Sequence, residues 1–208
     1  MLSAAGPFDL LGEPIVAACA RHGVHYVDVT GEPQFVQRMI EMHGVSAEET
    51  KAKIVHCCGF DSIPSDMLVL LGANELKMRH GVKVRRADGT FKVKGGLSGG
   101  TAHSALRVME TSTLSQLANP VLLNPPGIMT SKAHKSRAWS QRGIRRRASP
   151  RGWTAPFLMA GINELNVRRS AALLECACHL TVVHTLLELH RSHSSVAIDV
   201  ASSFIQLS

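Results

Sequence analysis

Three short apolar runs, each ending in a turn that contains glycine, restrict the fold more than any other feature. The runs end at Gly6, Gly31 and Gly59, and segments with helical periodicity separate them. Alternation of short apolar strands with helices is typical of a parallel, doubly wound α/β sheet. Ligands bind such sheets beyond the carboxyl ends of the strands, so we expect the three turns to line one crevice.

The apolar periodicity also predicts where the elements of this first region lie. Strands are expected at Val24–Val29 and Ile54–Cys58. Helices are expected at Glu13–Arg21, Pro33–His43 and Asp66–His80. Gly44 is expected to end the second of these helices before a short acidic helical turn.

Beyond Gly81 the pattern changes. The alternating segments Val82–Val84 and Phe91–Lys94 predict two strands joined by a hairpin turn at Asp88-Gly89. Later periodicity predicts helices from Thr101 to about Leu117 and over Arg168–His190.

We therefore predict an α/β chain that contains the C-terminal half of a Rossmann-like parallel sheet, followed by an incomplete α+β domain. The expected domains are residues 1–80, residues 81–175 and a divergent helical tail at 176–208.

The composition places the chain among globular proteins of a reducing compartment. Hydrophobic residues make up 45% of the sequence, which is enough for a packed core. The five cysteines are odd in number, two of them are adjacent, and the chain is not a small cysteine-dense scaffold, so we expect free thiols and an intracellular location. No apolar run approaches the length of about 20 residues that spans a bilayer, and no signal peptide is expected.

The turns carry residues that could bind a nucleotide. Gly6, Gly31 and Gly59 would let the backbone approach a ligand closely. Carboxylates at strand ends could hold a ribose hydroxyl or a substrate amine; these are Asp28, Glu32 and Asp61. The alternative is that all six residues are ordinary turn formers and helix caps.

Four segments in order carry a family resemblance: G-P-F-D-L-L-G-E-P, Y-V-D-V-T-G-E-P-Q-F, C-C-G-F-D-S-I-P-S-D and K-G-G-L-S-G-G-T. Over about residues 4–174 the chain resembles the saccharopine dehydrogenase-like oxidoreductases, which include the bacterial trans-acting enoyl reductases. The resemblance implies a Rossmann domain that binds NAD or NADP, a substrate and dimerisation domain, hydride transfer, and a homodimer. It also implies a small-molecule or lipid-linked substrate, glycolipid metabolism, and a location at membranes, lipid droplets or mitochondria.

The resemblance further assigns residues to the cofactor. It places Gly6 and Pro7 beside the dinucleotide. It places a second group at the border of the nicotinamide and substrate region: Asp28, Gly31, Glu32, Gly59, Phe60, Asp61 and Pro64. No general base is assigned, and Asp28 and Asp61 are candidates because of their positions at strand ends.

Two departures from the family pattern qualify these expectations. No G-x-G-x-x-G turn occurs in the chain, and the sequence beyond about Glu175 diverges. The chain therefore reads as a truncated piece of such an enzyme, and we expect it to bind NADPH weakly or not at all when isolated.

Three further patterns offer other functions. Gly96–Gly100 matches the G-x-S-x-G elbow of a serine hydrolase with Ser98 as nucleophile, but the favoured interpretation is a glycine-rich joint between a strand and a helix with Ser98 or Thr101 as N-cap. The acid would be Glu188 or Asp199 and the base His190 or His193.

The second pattern is a set of His and Cys residues that could suggest a metal site. No metal site is predicted, because His56-Cys57-Cys58 alternate faces of a strand and Cys176, Cys178, His179 and His184 lack zinc spacing.

The third pattern is the basic segment Lys132–Arg151, which contains eight Lys and Arg residues and has Trp139 and Trp153 nearby. A solvated loop is one interpretation. The functional alternative is a non-catalytic or docking role at an anionic membrane surface or on a phosphorylated carrier. Nucleic acid is not expected, since no interleaved aromatic platform is present.

Overall fold

The computed structural model describes residues 1–82, 84, 87–92, 119–125, 143–147, 152–157, 159–174, 180–187 and 204–207. The chain divides into two compact units. The described residues of the first unit are 1–63 and 119–123, and the remaining described residues form the second unit. The predicted helix from Thr101 lies outside the described residues, and the predicted division into three domains stays a prediction.

The first unit is built on a three-stranded parallel sheet. Its strands β1 (Leu2–Ser3), β2 (Tyr26–Asp28) and β3 (Ile54–Val55) lie side by side in chain order. Leu2 pairs with Val27, and Tyr26 pairs with Ile54. Helices fill the connections: α1 (Phe8–Leu11), α2 (Glu13–His22) and α3 (Pro33–Thr50). The prediction of an α/β fold with a parallel sheet is thereby confirmed.

Turn chemistry sets the ends of α2 and α3. Pro14 lies in the first turn of α2, where its missing N–H is not needed, and Gly23 ends the helix in the left-handed conformation at φ 66°. Pro33 begins α3 in the same way. The predicted helix end at Gly44 is wrong, because α3 continues to Thr50. Thr50 Oγ1 donates to the carbonyl of Ala20 at 2.6 Å and so attaches the last turn of α3 to α2.

Aromatic side chains form the core of the first unit. Tyr26 and Phe35 are fully buried, and Phe8 packs against Phe35 with ring centroids 6.0 Å apart. Gly12 lies directly over Phe35, since a Cβ at this position would come within 2.6 Å of the ring. The α1–α2 junction can therefore rest on Phe35 only because residue 12 has no side chain.

Strand β3 is shorter than its apolar sequence predicts. The expected strand Ile54–Cys58 ends at Val55, so its last three residues were predicted wrongly. Cys57 takes φ 60°, which no strand residue adopts, and its N–H donates to the carboxylate of Asp28. A side chain of β2 therefore takes the hydrogen bond that would have continued the strand.

The second unit combines two helices with a mixed sheet. The helices are α4 (Ile63–His80, of which Pro64–His80 belong to this unit) and α5 (Ala160–Leu173). The sheet has the order β5-β6-β7-β4-β8, in which β4 and β7 are parallel and the other neighbours antiparallel. Its strands are β4 (Ala87–Lys92), β5 (Arg145–Arg147), β6 (Gly152–Pro156), β7 (Leu180–Leu187) and β8 (Phe204–Leu207).

Two predictions in this unit are wrong. Asp88-Gly89 is not a hairpin turn but the middle of β4, where it pairs with both β7 and β8. The helical periodicity expected over Arg168–His190 ends at Leu173, and Leu180–Leu187 forms a strand. Pairing on both edges explains both errors, because sheet neighbours satisfy the backbone of residues whose local propensity is ambiguous.

The core of the second unit lies between its helices and sheet. Val69, Val167, Ala87 and Phe91 form a buried cluster, and Phe157 stacks on Phe91 with ring centroids 4.9 Å apart. Among the described residues, no helix combines the length and the apolarity that crossing a membrane would require.

Candidate functional site

The carboxyl ends of β1, β2 and β3 meet at one edge of the parallel sheet. Three loops leave the sheet there, at residues 4–7, 29–32 and 56–62, and we call them the strand-end loops. Side chains of the middle loop and of β2 connect all three. The edge is therefore held together by side chains as well as by the strand ladder.

Glu32 joins the middle loop to the first loop. Its side chain is fully buried, and its two carboxylate oxygens accept hydrogen bonds from the N–H groups of Phe8 at 3.3 Å and Asp9 at 2.7 Å. These N–H groups begin α1, whose N-cap residue Pro7 makes no side-chain cap. Glu32 thus supplies the acceptors that the first turn of α1 lacks, and the helix dipole favours its negative charge.

Asp28 joins the middle loop to the third loop. Its carboxylate is buried; Oδ1 accepts from the N–H groups of Thr30 at 3.1 Å and Cys57 at 3.0 Å. His56 Nδ1 donates to Oδ2 at 2.6 Å. The main-chain carbonyl of Asp28 also accepts from Cys58 N–H at 2.7 Å. Both side-chain oxygens of Asp28 are therefore occupied by the loops that it connects.

The His56 ring lies between two aromatic side chains beneath this bond. Phe35 and Tyr26 each meet it edge to face, with centroids 5.6 and 5.9 Å away. Burial, followed by the nearby charge of Asp28, raises the pKa of the Tyr26 phenol. Tyr26 therefore stays neutral beside the buried Asp28–His56 pair.

An ion pair anchors α1 to α3 at the rim of the first loop. Arg38 Nη1 binds Asp9 Oδ1 at 2.9 Å, while its Nη2 donates to the carbonyl of Asp9 at 2.8 Å.

The structural roles of Asp9 and Arg38 were missed in the sequence analysis, and His56 was considered there only as a metal ligand. The one available signal was the acidic residue directly after the Gly6-Pro7-Phe8 turn, because a first-turn carboxylate marks a helix start.

The third loop is compact around Gly59. The Gly59 carbonyl accepts from the N–H groups of Ser62 and Ile63 at 3.1 and 3.0 Å. A Cβ on Gly59 would lie 2.5 Å from Asp61 Oδ1 and 3.5 Å from the Cβ of Val29. A side chain at residue 59 would displace the Asp61 carboxyl from this position. Burial raises the pKa of that carboxyl.

Apolar side chains are exposed at this same edge. Val29 is 42% exposed, Phe60 46% and Ile63 38%. Exposed branched and aromatic groups next to polar backbone are usual in sites that bind a flat ring or an acyl chain. The edge thus offers an apolar surface with one carboxyl, Asp61, beside it.

The structure brings most of the predicted binding residues to this edge. Gly6 and Pro7, joined by a cis peptide bond, lie in the first loop; Gly31 and Glu32 lie in the second, and Gly59, Phe60 and Asp61 in the third. Pro64 lies in the first turn of α4 and belongs to the second unit. The binding and catalytic roles of these residues stay predictions.

Most residues of the other sequence motifs lie outside the described residues. Ser98 with its glycine motif, and the acid and base candidates from Glu188 to Asp199, lie outside the described residues. Cys176, Cys178 and His179 lie outside them too, as does the side chain of His184. Within the described part of the chain no three His, Cys, Asp or Glu side chains gather as metal ligands, and Cys19, Cys57 and Cys58 are free thiols.

Comparison with known proteins identifies relatives. A putative trans-acting enoyl reductase of Mycobacterium tuberculosis is 40% identical over 85% of this chain, and a trans-acting enoyl reductase of Mycobacterium bovis is 32% identical over the same share. A probable mitochondrial saccharopine dehydrogenase-like oxidoreductase of Arabidopsis thaliana is 45% identical over 36% of this chain and 16% of its own length. The chain spans 44% of the length of the two mycobacterial relatives.

Two other comparisons found nothing. No family model matches the chain, and no solved structure matches it.

Proposed function

Because this chain is homologous to trans-acting enoyl reductases and to a saccharopine dehydrogenase-like oxidoreductase, we propose that it takes part in NAD(P)-dependent hydride transfer. The proposed substrate is a 2-enoyl thioester, and the strand-end loops of the first unit hold the reactive end of the cofactor. The observation that carries this assignment is the fixed edge of the parallel sheet, where Glu32 and Asp28 tie three loops together.

Rigid loops are what this chemistry needs from the protein. The ring that gives up a hydride must lie within about 3–3.5 Å of the accepting carbon, so small displacements of the binding loops are costly. In the first unit, buried carboxylates rather than flexible surface contacts set the spacing between neighbouring loops. This supports a positioning role for Asp28, whose oxygens are already occupied.

The edge fits a nicotinamide ring better than it fits a ribose. Glu32 is fully buried and already accepts two backbone N–H groups, so its oxygens are not presented to a hydroxyl. Val29 and Phe60 offer an apolar surface to a flat ring. Gly59, which lies beside both, has no side chain that would hold the ring away from the backbone. When bound, the nicotinamide supplies the hydride.

Asp61 is the residue proposed to donate the proton. Reduction of a 2-enoyl thioester adds a hydride at C3 and a proton at C2. The raised pKa of Asp61 keeps a larger fraction of its carboxyl protonated than an exposed aspartate would show. Asp61 gives its proton to C2, and solvent returns one to the carboxylate.

The relatives and the exposed apolar side chains of the first unit support further proposals about the substrate, the cellular location and the oligomeric state. An acyl chain of a lipid or glycolipid precursor would suit Val29, Phe60 and Ile63. A mitochondrial location is supported by the Arabidopsis relative, a probable mitochondrial oxidoreductase. A homodimer, and a location at membranes or lipid droplets, belong to the same proposal.

Isotope transfer tests the proposal even at weak affinity. The purified chain is mixed with NADPH that carries deuterium on either face of C4, and with a short 2-enoyl thioester. The expected product carries one deuterium at C3, detected by mass spectrometry, while Asp61→Asn lowers its yield by about 10²-fold or more. Weak cofactor binding, in the millimolar range of about −4 kcal/mol, is expected for the chain alone.

A matched control is Asp66→Asn, which changes a carboxyl whose pKa burial also raises but which lies on α4. It should keep the wild-type yield. Product without deuterium from either labelled cofactor, obtained with folded protein, would refute hydride transfer by this chain.

A further inference from the structure

Cationic charge is concentrated in one segment of the chain. Lys132–Arg151 carries eight of the 23 Lys and Arg residues and none of the 16 Asp and Glu residues. The formal charge of the chain is +7, so the rest of the sequence is close to neutral. An anionic partner would therefore be attracted to this segment rather than to the protein as a whole.

The described part of this segment is an exposed edge of the second sheet. Strand β5 pairs with β6 and is the end strand of the sheet order. Arg145 and Arg146 are exposed. Beside them Ile144 is 64% exposed, and Trp153 on β6 is 51% exposed. We call these four residues the basic strand pair surface.

Three of these side chains project to one face. Arg146 is directly opposite Trp153 in the antiparallel register, and residues opposite each other share a face of the sheet. Ile144 precedes Arg146 by two residues, so strand alternation places it on that face too. An indole, a branched aliphatic group and a guanidinium thus stand together in solvent.

This combination fits a partner with an anionic layer above an apolar one. Ile144 and Trp153 add exposed apolar area directly beside the guanidinium of Arg146. Arginine binds phosphate through two donors, tryptophan prefers the headgroup level of a bilayer, and isoleucine favours the acyl boundary below it. Within the described residues of β5 and β6, Trp153 is the single aromatic side chain, which is too little for a base-stacking platform.

We infer that the basic strand pair surface docks the protein on anionic phospholipid bilayers. Arg146 contacts lipid phosphates, while Trp153 and Ile144 enter the interface; Arg145, its neighbour on the edge strand, adds to the local positive charge. This docking is independent of cofactor binding, because it uses no residue of the strand-end loops.

Vesicle sedimentation tests the inference with the full chain. Vesicles of phosphatidylcholine with 30 mol% phosphatidylserine should bind the protein at least about tenfold more strongly than phosphatidylcholine alone. The double variant Arg145→Glu/Arg146→Glu should lose at least about tenfold of this binding, and Trp153→Ala about threefold. Raising the salt to about 0.5 M should release the protein, because it shortens the screening length.

The matched control is Lys51→Glu/Lys53→Glu. It changes the formal charge by the same amount at two exposed lysines of the first unit. It should keep vesicle binding within about twofold if attraction is local. Circular dichroism must show native helix content for each variant.

Three results would overturn the inference. One is equal binding to neutral and acidic vesicles, and a second is equal loss in the two charge-reversal variants. The third is tight binding of an oligonucleotide by a protein that ignores acidic vesicles.

Discussion

The strand-end loops of the first unit and the basic strand pair surface of the second unit use charge in opposite ways. In the loops, the carboxylates of Asp28 and Glu32 are buried and fully engaged by backbone N–H groups and by His56. On the strand pair, Arg145 and Arg146 are exposed to solvent. Charged side chains thus serve folding in the first region, whereas in the second they are the groups proposed to recognise a partner.

Burial explains the difference. A charge removed from water must be compensated by hydrogen bonds, so its loss leaves unpaired donors in the core. An exposed charge is solvated whether or not it has a partner, and its removal costs the fold little. Mutations in the loops should therefore change stability first, whereas mutations on the strand pair should change binding alone.

The largest effect is expected for Asp28→Ala. The change leaves His56 and the N–H groups of Thr30 and Cys57 without their acceptor, which should cost about 3–5 kcal/mol of unfolding free energy. Urea unfolding followed by circular dichroism measures the loss. Asp28→Asn keeps one oxygen as an acceptor and should cost less; equal losses for both variants would contradict the loop-tying role.

Glu32→Ala should give the next largest effect. It leaves the buried Phe8 N–H and the partly buried Asp9 N–H without an acceptor, at a cost of about 2–3 kcal/mol. The Glu32→Ala variant should show a larger increase of amide hydrogen exchange in α1 than in α3. The control Glu49→Ala removes an exposed carboxylate of α3 and should stay within about 0.5 kcal/mol. Similar losses of unfolding free energy for Glu32→Ala and Glu49→Ala would contradict the role of Glu32 in stabilising the start of α1.

Asp61→Asn should move stability in the other direction. Burial raises the pKa of Asp61, so the folded state holds this proton more tightly than the unfolded chain does. The stability that protonation provides is present below the ordinary value of 3.8 and is lost as the pH rises through the raised pKa. At neutral pH the neutral amide should therefore stabilise the protein, by at most about 1 kcal/mol because solvent screens the partly exposed carboxyl.

The pH dependence identifies the source of that gain. The difference between Asp61→Asn and the wild type should vanish below pH 3.8 and grow above it, as measured by urea unfolding across the pH range. Together with lost deuterium transfer, a stabilised variant would mark Asp61 as a residue kept for function at the expense of stability. A destabilised variant at neutral pH would instead assign Asp61 a structural role.

The smallest change in stability is expected on the basic strand pair surface. Arg145→Glu/Arg146→Glu should alter the unfolding free energy by no more than about 0.5 kcal/mol, since both side chains are exposed. Thermal unfolding checks this, alongside the vesicle assay. A loss comparable to that of Glu32→Ala would remove the contrast between the two regions.

The parallel sheet and its helices could be predicted because their signals are local. Pro14, Gly23 and Pro33 act on their own backbone, and apolar periodicity needs no distant partner. Errors arose where distant contacts decide. Beyond Gly44, Thr50 attaches the last turn of α3 to α2. Asp88-Gly89 is held in β4 by strands from the far end of the chain.

The candidate site divides along the same line. Sequence alone determined that glycines and carboxylates would follow three strands, because turn chemistry and parallel pairing are written in short segments. Only the tertiary structure decided what the carboxylates do: Asp28 and Glu32 meet backbone donors more than twenty residues away, and Asp61 is left with a raised pKa. The physical reason is that desolvation and hydrogen-bond partners depend on the complete fold around a charge, which no local pattern contains.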